Sequence, residues 1–108
     1  MPHVFNELAQ LVGRVEADGS VYTAQAQRLG VVRPDGSVCT VTGQVVGGVS
    51  GAGLIYDGQG GQVGEVHHDG GTYAWPRTYV GYVGSGIPLV PMGGAGLLLL
   101  LLAQDGQP

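Results

Sequence analysis

The apolar positions of this chain follow a frame that repeats every 17 residues. Five short motifs of the form apolar–Gly–x–Val have their glycines at Gly13, Gly30, Gly47, Gly64 and Gly81. In each unit a second apolar run follows, separated from the first by turn-forming residues, which is the pattern of a β-hairpin. Repetition at a fixed interval is the signature of a repeat architecture. The frame predicts five tandem units near residues 12–28, 29–45, 46–62, 63–79 and 80–96.

Each of the first four units carries a turn signal between its two apolar runs. A second glycine stands six residues after the first, and in three units an aspartate precedes it. Asp-Gly suits a two-residue type I′ turn, because both residues tolerate positive φ. With Asp18 and Gly19 as the turn, Tyr22 faces Val15, and Gly13 lies on the same side of the hairpin. We therefore predict that the Gly–Val–Tyr side forms the core and that the other side is partly solvated.

Hairpins of this length must pack against one another, because a lone hairpin is marginally stable in water. They can stack in a line or close into a ring. A linear array usually carries polar caps, and the sequence shows none. Closure also removes exposed strand edges. The predicted fold class is all-β, a closed ring or toroid in which the repeated glycine lies near the centre, where a Cβ would collide.

The segment LIYDGQGGQVGEV (residues 54–66) resembles the apolar–Tyr–Asp–x–x–Gly–x–x–Val–Gly element of the small prokaryotic β-flower families. The resemblance covers residues 12 to about 90, and the five-fold form of the family, related to a four-fold form, matches the number of units. PRC-barrel domains carry a similar element, but not in five tandem copies. The resemblance implies a bacterial protein built as a ring of hairpins, with no assigned activity and no catalytic residues to transfer.

Both ends of the chain extend the frame. Val4 lies 17 residues before Val21, and Leu97 lies 17 residues after Val80. We predict that the N-terminal segment is the second strand of a half unit and that the leucine run is the first strand of another. The two halves would then pair and close the ring.

The apolar segment 97–103 has other interpretations. Leu and Ala favour helix over strand, so the run can form a short helix that plugs the ring. It can also contact a second subunit or a protein partner through Leu97–Leu102. The uncharged stretch from Val80 to Ala103 is long enough to span a bilayer. Prolines and glycines interrupt that stretch, so membrane insertion is the least favoured interpretation.

Composition narrows the classes of function. The 108 residues fit one domain, and 22 of them are glycine. The net charge is −4 and the four basic residues, all Arg, do not cluster, which argues against a nucleic-acid partner. Cys39 is the single cysteine, so neither an intrachain disulfide nor a cysteine zinc site is expected. The N-terminus lacks a secretory signal pattern, which makes the cytoplasm the default location.

Candidate chemistry is sparse along the chain. His67, His68 and Asp69 form the only cluster of metal-ligand types. Adjacent strand residues point to opposite sides of a sheet, and Asp69 belongs to a turn, so we predict no metal site. A dinucleotide fingerprint, a Walker lysine and a serine triad are all missing. We predict no enzyme activity and no cofactor.

Four residues are candidates for an interaction site. Trp75 lies in a connector with Arg77, and exposed aromatic residues near arginine are common anchors for a partner. His67 and His68 are polar residues at a strand end. The leading expectation is a small structural or protein-interaction module that can form a homo-oligomer. The alternative is a small-ligand-binding protein that uses the mouth or centre of the ring.

Overall fold

The computed structural model describes residues 3–84 and 88–102. This part of the chain forms one closed antiparallel barrel of ten strands and a helical segment. The strands are β1 (His3–Asn6), β2 (Leu11–Val15), β3 (Ser20–Thr23), β4 (Arg28–Val32), β5 (Ser37–Thr40), β6 (Val45–Val49), β7 (Leu54–Asp57), β8 (Gln62–Val66), β9 (Gly71–Ala74) and β10 (Thr78–Val83). Helix α1 (Leu89–Ala95) continues into a π-helical segment, Gly96–Leu101. The predicted fold class, all-β and closed into a ring, is confirmed.

The hairpin turns contain three residues, so the predicted two-residue turn is wrong. In the first hairpin the N–H of Gly19 donates to the carbonyl of Glu16 at 2.9 Å, and the N–H of Glu16 donates to the carbonyl of Ser20 at 2.8 Å. Gly19 has a φ of +94°, the left-handed conformation that the last residue of a three-residue hairpin loop requires. Val15 therefore pairs with Val21 rather than with Tyr22.

This shift of one residue reverses the predicted sides of the second strand. In a strand a one-residue slip exchanges the inner and outer side chains. Val21 is fully buried in the barrel, whereas Tyr22 lies outside with the guanidinium of Arg14 at 4.3 Å from its ring centroid. The core side is thus Gly–Val–Val, and the prediction that the tyrosines face the core is wrong.

A β-bulge precedes every repeated glycine. Between β3 and β4, Val21 pairs with Gly30 and Tyr22 pairs with Arg28, which leaves Leu29 without a partner. Leu29 packs against the core, and the adjacent Gly30 is buried too, so two successive residues face the interior. A bulge bends the strand and breaks the strict alternation of sides. The equivalent bulge residues are Val12, Val46, Val63 and Val80.

Strand β1 closes the barrel by pairing with β10 on one side and with β2 on the other. Val4 pairs with Val83, so the N-terminal strand supplies the second strand of the fifth hairpin. The prediction that β1 pairs with the leucine run is therefore wrong. Residues 89–95 of the fifth unit and the leucines of segment 97–103 are helical instead, while residue 103 lies outside the described residues.

The helical segment Leu89–Leu101, here called the plug, fills the centre of the barrel. Its Leu97–Leu101 side chains are all at most 7% exposed. Three glycines near the middle of the plug allow it to fit between the strands. A Cβ on Gly94 would overlap the side chain of Val32, one on Gly93 would crowd Val49, and one on Gly96 would crowd Thr72. The helix-plug interpretation of the leucine run is the one that holds.

The five repeated glycines, here called the glycine ring, each face one leucine of the plug. The pairs are Gly47 with Leu97, Gly30 with Leu98, Gly13 with Leu99, Gly81 with Leu100, and Gly64 with Leu101. Consecutive leucines therefore contact consecutive hairpins around the barrel. This requires a rotation of one fifth of a turn per residue, whereas an α-helix rotates by about 100°. The wider i→i+5 turn, in which the N–H of Leu102 bonds the carbonyl of Leu97, comes closer to that rotation.

The ring glycines are required by two neighbours at once. A Cβ on Gly30 would overlap the carbonyl oxygen of Cys39 on the paired strand and would lie 3.1 Å from Cδ1 of Leu98. The prediction that a Cβ at these positions would collide with its neighbours is thus correct. The five backbones do not meet at the centre, however, because the plug occupies it.

Replacing Gly30 by alanine is predicted to lower the free energy of unfolding by about 1–3 kcal/mol, because the strand must move away from a carbonyl oxygen. The measurement is urea denaturation followed by circular dichroism. Gly51→Ala is the matched control, since a Cβ on Gly51 meets nothing within 4 Å. Equal stability of the two variants would contradict the steric account.

Candidate functional site

The barrel has two chemically different ends. The three-residue hairpin turns, each with the residue that precedes it (16–19, 33–36, 50–53 and 67–70), form one end, here called the turn end. The links 7–10, 24–27, 41–44, 58–61 and 75–77 form the other, here called the connector face. The plug enters at the turn end and its leucines lie near the connector face, where Leu102 is half-buried. A candidate site must therefore be sought on these ends or on the outer wall, since the plug occupies the interior.

The turn end is polar and acidic. It carries Glu16, Asp18, Asp35 and Asp69, against one basic residue, Arg33. Asp18 accepts a hydrogen bond from the backbone N–H of Ser20 at 2.9 Å, and Asp35 accepts one from Ser37 at 2.9 Å. These backbone hydrogen bonds stabilise the ionised forms and lower the pKa of both carboxyl groups from the usual 3.8. The two carboxylates therefore stabilise the backbone of their own turns.

Two open clefts flank the start of the plug at the turn end. One has a volume of about 310 Å³ and lies between Gly51, His68 and residues 88–92. The other, about 330 Å³, lies between the first two turns and Pro88, with Asp18 and Arg33 at its rim. Ligand pockets usually enclose most of the ligand within a volume of about 300–1,000 Å³. These clefts have the volume of a small pocket, but they lie open at the barrel mouth.

The structure does not bring the four predicted site residues together. His67 and His68 are exposed at the turn end, while Trp75 and Arg77 are exposed at the connector face. His67 contacts the carboxylate of Glu65, and its ring lies 4.8 Å from that of Tyr73. His68 lines one of the open clefts. Within residues 3–84 and 88–102 no three His, Cys, Asp or Glu side chains are grouped as a metal site would require.

Trp75 belongs to a group of exposed apolar side chains that the sequence analysis did not predict. The described residues include seven exposed large apolar side chains, and five of them lie in the links or at the first strand residue after a link. They are Leu8, Leu11, Val41, Val45 and Trp75. The other two, Tyr79 and Tyr82, lie on the outer wall, where the ring of Tyr79 is 5.5 Å from that of Tyr73. The signal was available in the sequence, because these residues fall outside the core columns of the 17-residue frame.

The connector face carries few charges. Among the described residues Glu7, Asp57 and Arg77 lie there, whereas Arg28, the first residue of β4, acts electrostatically on Asp18 of the turn end. Asp57 is engaged locally, since it accepts hydrogen bonds from the N–H groups of Gln59 and Gly61 at 3.0 and 2.9 Å. The face therefore combines exposed apolar groups with little net field, a pattern that favours contact with another apolar surface.

The predicted contact through Leu97–Leu102 does not match the position of these leucines. Leu97–Leu101 lie inside the barrel and only Leu102 is partly exposed. No helix among the described residues has the length and apolar character needed to cross a membrane. Partner binding stays a prediction. The connector face replaces Leu97–Leu102 as the candidate surface for it.

Comparisons with protein-family models, with curated proteins and with solved structures returned no match. The resemblance to the β-flower families therefore stays an expectation.

The lowered pKa values of Asp18 and Asp35 predict acid sensitivity. A group whose pKa is lower in the folded state stabilises the fold above its unfolded pKa, and this contribution is lost as the pH falls through the folded pKa. We expect the melting temperature to fall as the pH drops below about 4, and to fall less in a variant with Asp18→Asn and Asp35→Asn. Thermal unfolding between pH 3 and pH 6 measures this. Parallel pH profiles for the two proteins would contradict it.

Proposed function

We propose that the protein is a small interaction module that binds a protein partner through the connector face. The observation that supports this proposal is the concentration of exposed apolar side chains there. Trp75 is 60% exposed, Leu8 is 73% exposed and Val41 is 59% exposed. Monomeric proteins rarely expose contiguous apolar patches larger than a few hundred Å², and larger ones mark interaction sites.

The scaffold suits such a role. The links that carry Leu8 and Trp75 are short, and both ends of each are held in the barrel. In the first link the side chain of Asn6 accepts hydrogen bonds from the N–H groups of Leu8 and Gln10 at 2.9 and 3.0 Å. Binding residues on loops that a rigid framework positions lose little entropy on association. Leu8 and Trp75 are the anchors we assign to the contact.

The small-ligand alternative has weaker support. The centre of the barrel is filled by Leu97–Leu101, and the remaining clefts at the turn end are open. A ligand usually needs an enclosed apolar pocket with a few convergent polar groups. We therefore assign no substrate and no catalytic role to this chain.

Quantitative affinity capture from a lysate of the source cells tests the proposal. Tagged wild-type protein should retain a set of proteins that the Leu8→Glu variant retains about tenfold less, because binding would then bury a charge at an apolar contact. Ala52→Glu is the matched control: it adds the same charge at an exposed position of the turn end. It should capture the same set as the wild type.

Two results would contradict the assignment to the connector face. One is a captured set that Leu8→Glu leaves unchanged. The other is strong thermal stabilisation of the protein by a small metabolite, since a ligand that binds the native state raises its stability. That result would favour the turn-end clefts as the functional site.

A further inference from the structure

We infer that the partner of the connector face is a second copy of this chain, and that two barrels meet end to end about a two-fold axis. This inference rests on the proposed function, because it takes the connector face as the binding surface. It adds the identity of the partner and the symmetry of the contact.

The closed barrel restricts the ways in which two copies can associate. Each of the ten strands in the described part is paired on both sides. Strand addition at a free edge, a common route to association, is therefore not available. Association must use side chains at an end or on the wall of the barrel. The exposed apolar side chains favour the connector end.

The size of the end fits a stable dimer. The molecule measures 32 × 29 × 29 Å. A disc 29 Å across has an area of about 660 Å², so two faces in complete contact would bury at most about 1,300 Å² in total. Specific protein interfaces bury about 1,200–2,000 Å². An end-to-end contact that uses nearly the whole of both faces therefore reaches the lower part of this range.

The charges favour two connector faces over any contact between turn ends. Among the described residues the connector face carries two acidic residues and one basic residue, whereas the turn end has four acidic residues and one basic residue. Two turn ends would therefore repel each other more strongly than two connector faces. Two connector faces would also desolvate few ionic groups, which limits the cost of association.

The links are also arranged for a self-complementary contact. Strand β1 pairs with β10, so the links 7–10 and 75–77 are neighbours at the seam where the barrel closes. In a two-fold interface each contact occurs twice, with the residues exchanged. Arg77 can then meet Glu7 of the partner subunit while Trp75 and Leu8 pack across the axis. Within the described residues neither Glu7 nor Arg77 forms an ion pair of its own.

Sedimentation equilibrium of the purified full-length protein tests the inference. The wild type should reach twice the monomer mass of 11.0 kDa as its concentration rises. Leu8→Glu should raise the dissociation constant of the dimer about tenfold or more, since the contact would bury an unpaired charge. Ala52→Glu should associate like the wild type. Trp75, the single tryptophan, gives a second readout, because its fluorescence should shift to the red on dilution.

Several outcomes would overturn the dimer. A wild-type protein that is monomeric at every concentration would do so, and so would a dimer that Leu8→Glu does not weaken. Species larger than a dimer would point to head-to-tail assembly. Monomers that sediment with lipid vesicles would assign the face to a membrane surface. A monomer that still loses captured proteins in Leu8→Glu would overturn only the self-association and leave the proposed function standing.

Discussion

The contact between the leucines of the plug and the glycine ring determines the rest of the structure. Burial of five leucines gives a gross gain on the order of 10 kcal/mol before the entropy cost of ordering the chain is subtracted. Each ring glycine costs about 0.5–1 kcal/mol relative to alanine in a strand. The exchange is favourable, because removing five Cβ atoms admits five complete leucine side chains. The barrel is therefore a single unit with its C-terminal segment.

The five-fold repeat explains an unusual local conformation. Five equivalent hairpins present five equivalent sites around the axis, and five consecutive leucines fill them in order. A regular α-helix would rotate too far per residue to keep this order. The symmetry of the barrel and the π-helical turn thus have the same cause. At the surface the symmetry ends: Trp75 and Leu8 are bulky and exposed, whereas the fourth link, 58–61, is Gly-Gln-Gly-Gly.

The sequence was sufficient for the period, for closure and for the steric role of the glycines, because these follow from spacing alone. It was insufficient for the register. Asp-Gly fits a two-residue and a three-residue turn equally well, and the wrong choice placed Tyr22 inside and Val21 outside. The pairing of β1 with β10 was also missed, since the 17-residue frame aligns Leu97 with a strand position that the helix overrides. Trp75 and Arg77 were found as surface candidates, but their neighbour Leu8 was not, because no short motif marks it.

The order of the five leucine–glycine pairs is the feature that most directly tests this account. Nuclear Overhauser effects between leucine methyl groups and glycine Hα protons measure it in solution. The account predicts one dominant glycine for each leucine, with Leu97, Leu99 and Leu101 close to Gly47, Gly13 and Gly64 respectively. Leucine methyl groups that show no contact with the ring, or that contact several glycines equally, would contradict a plug held in register.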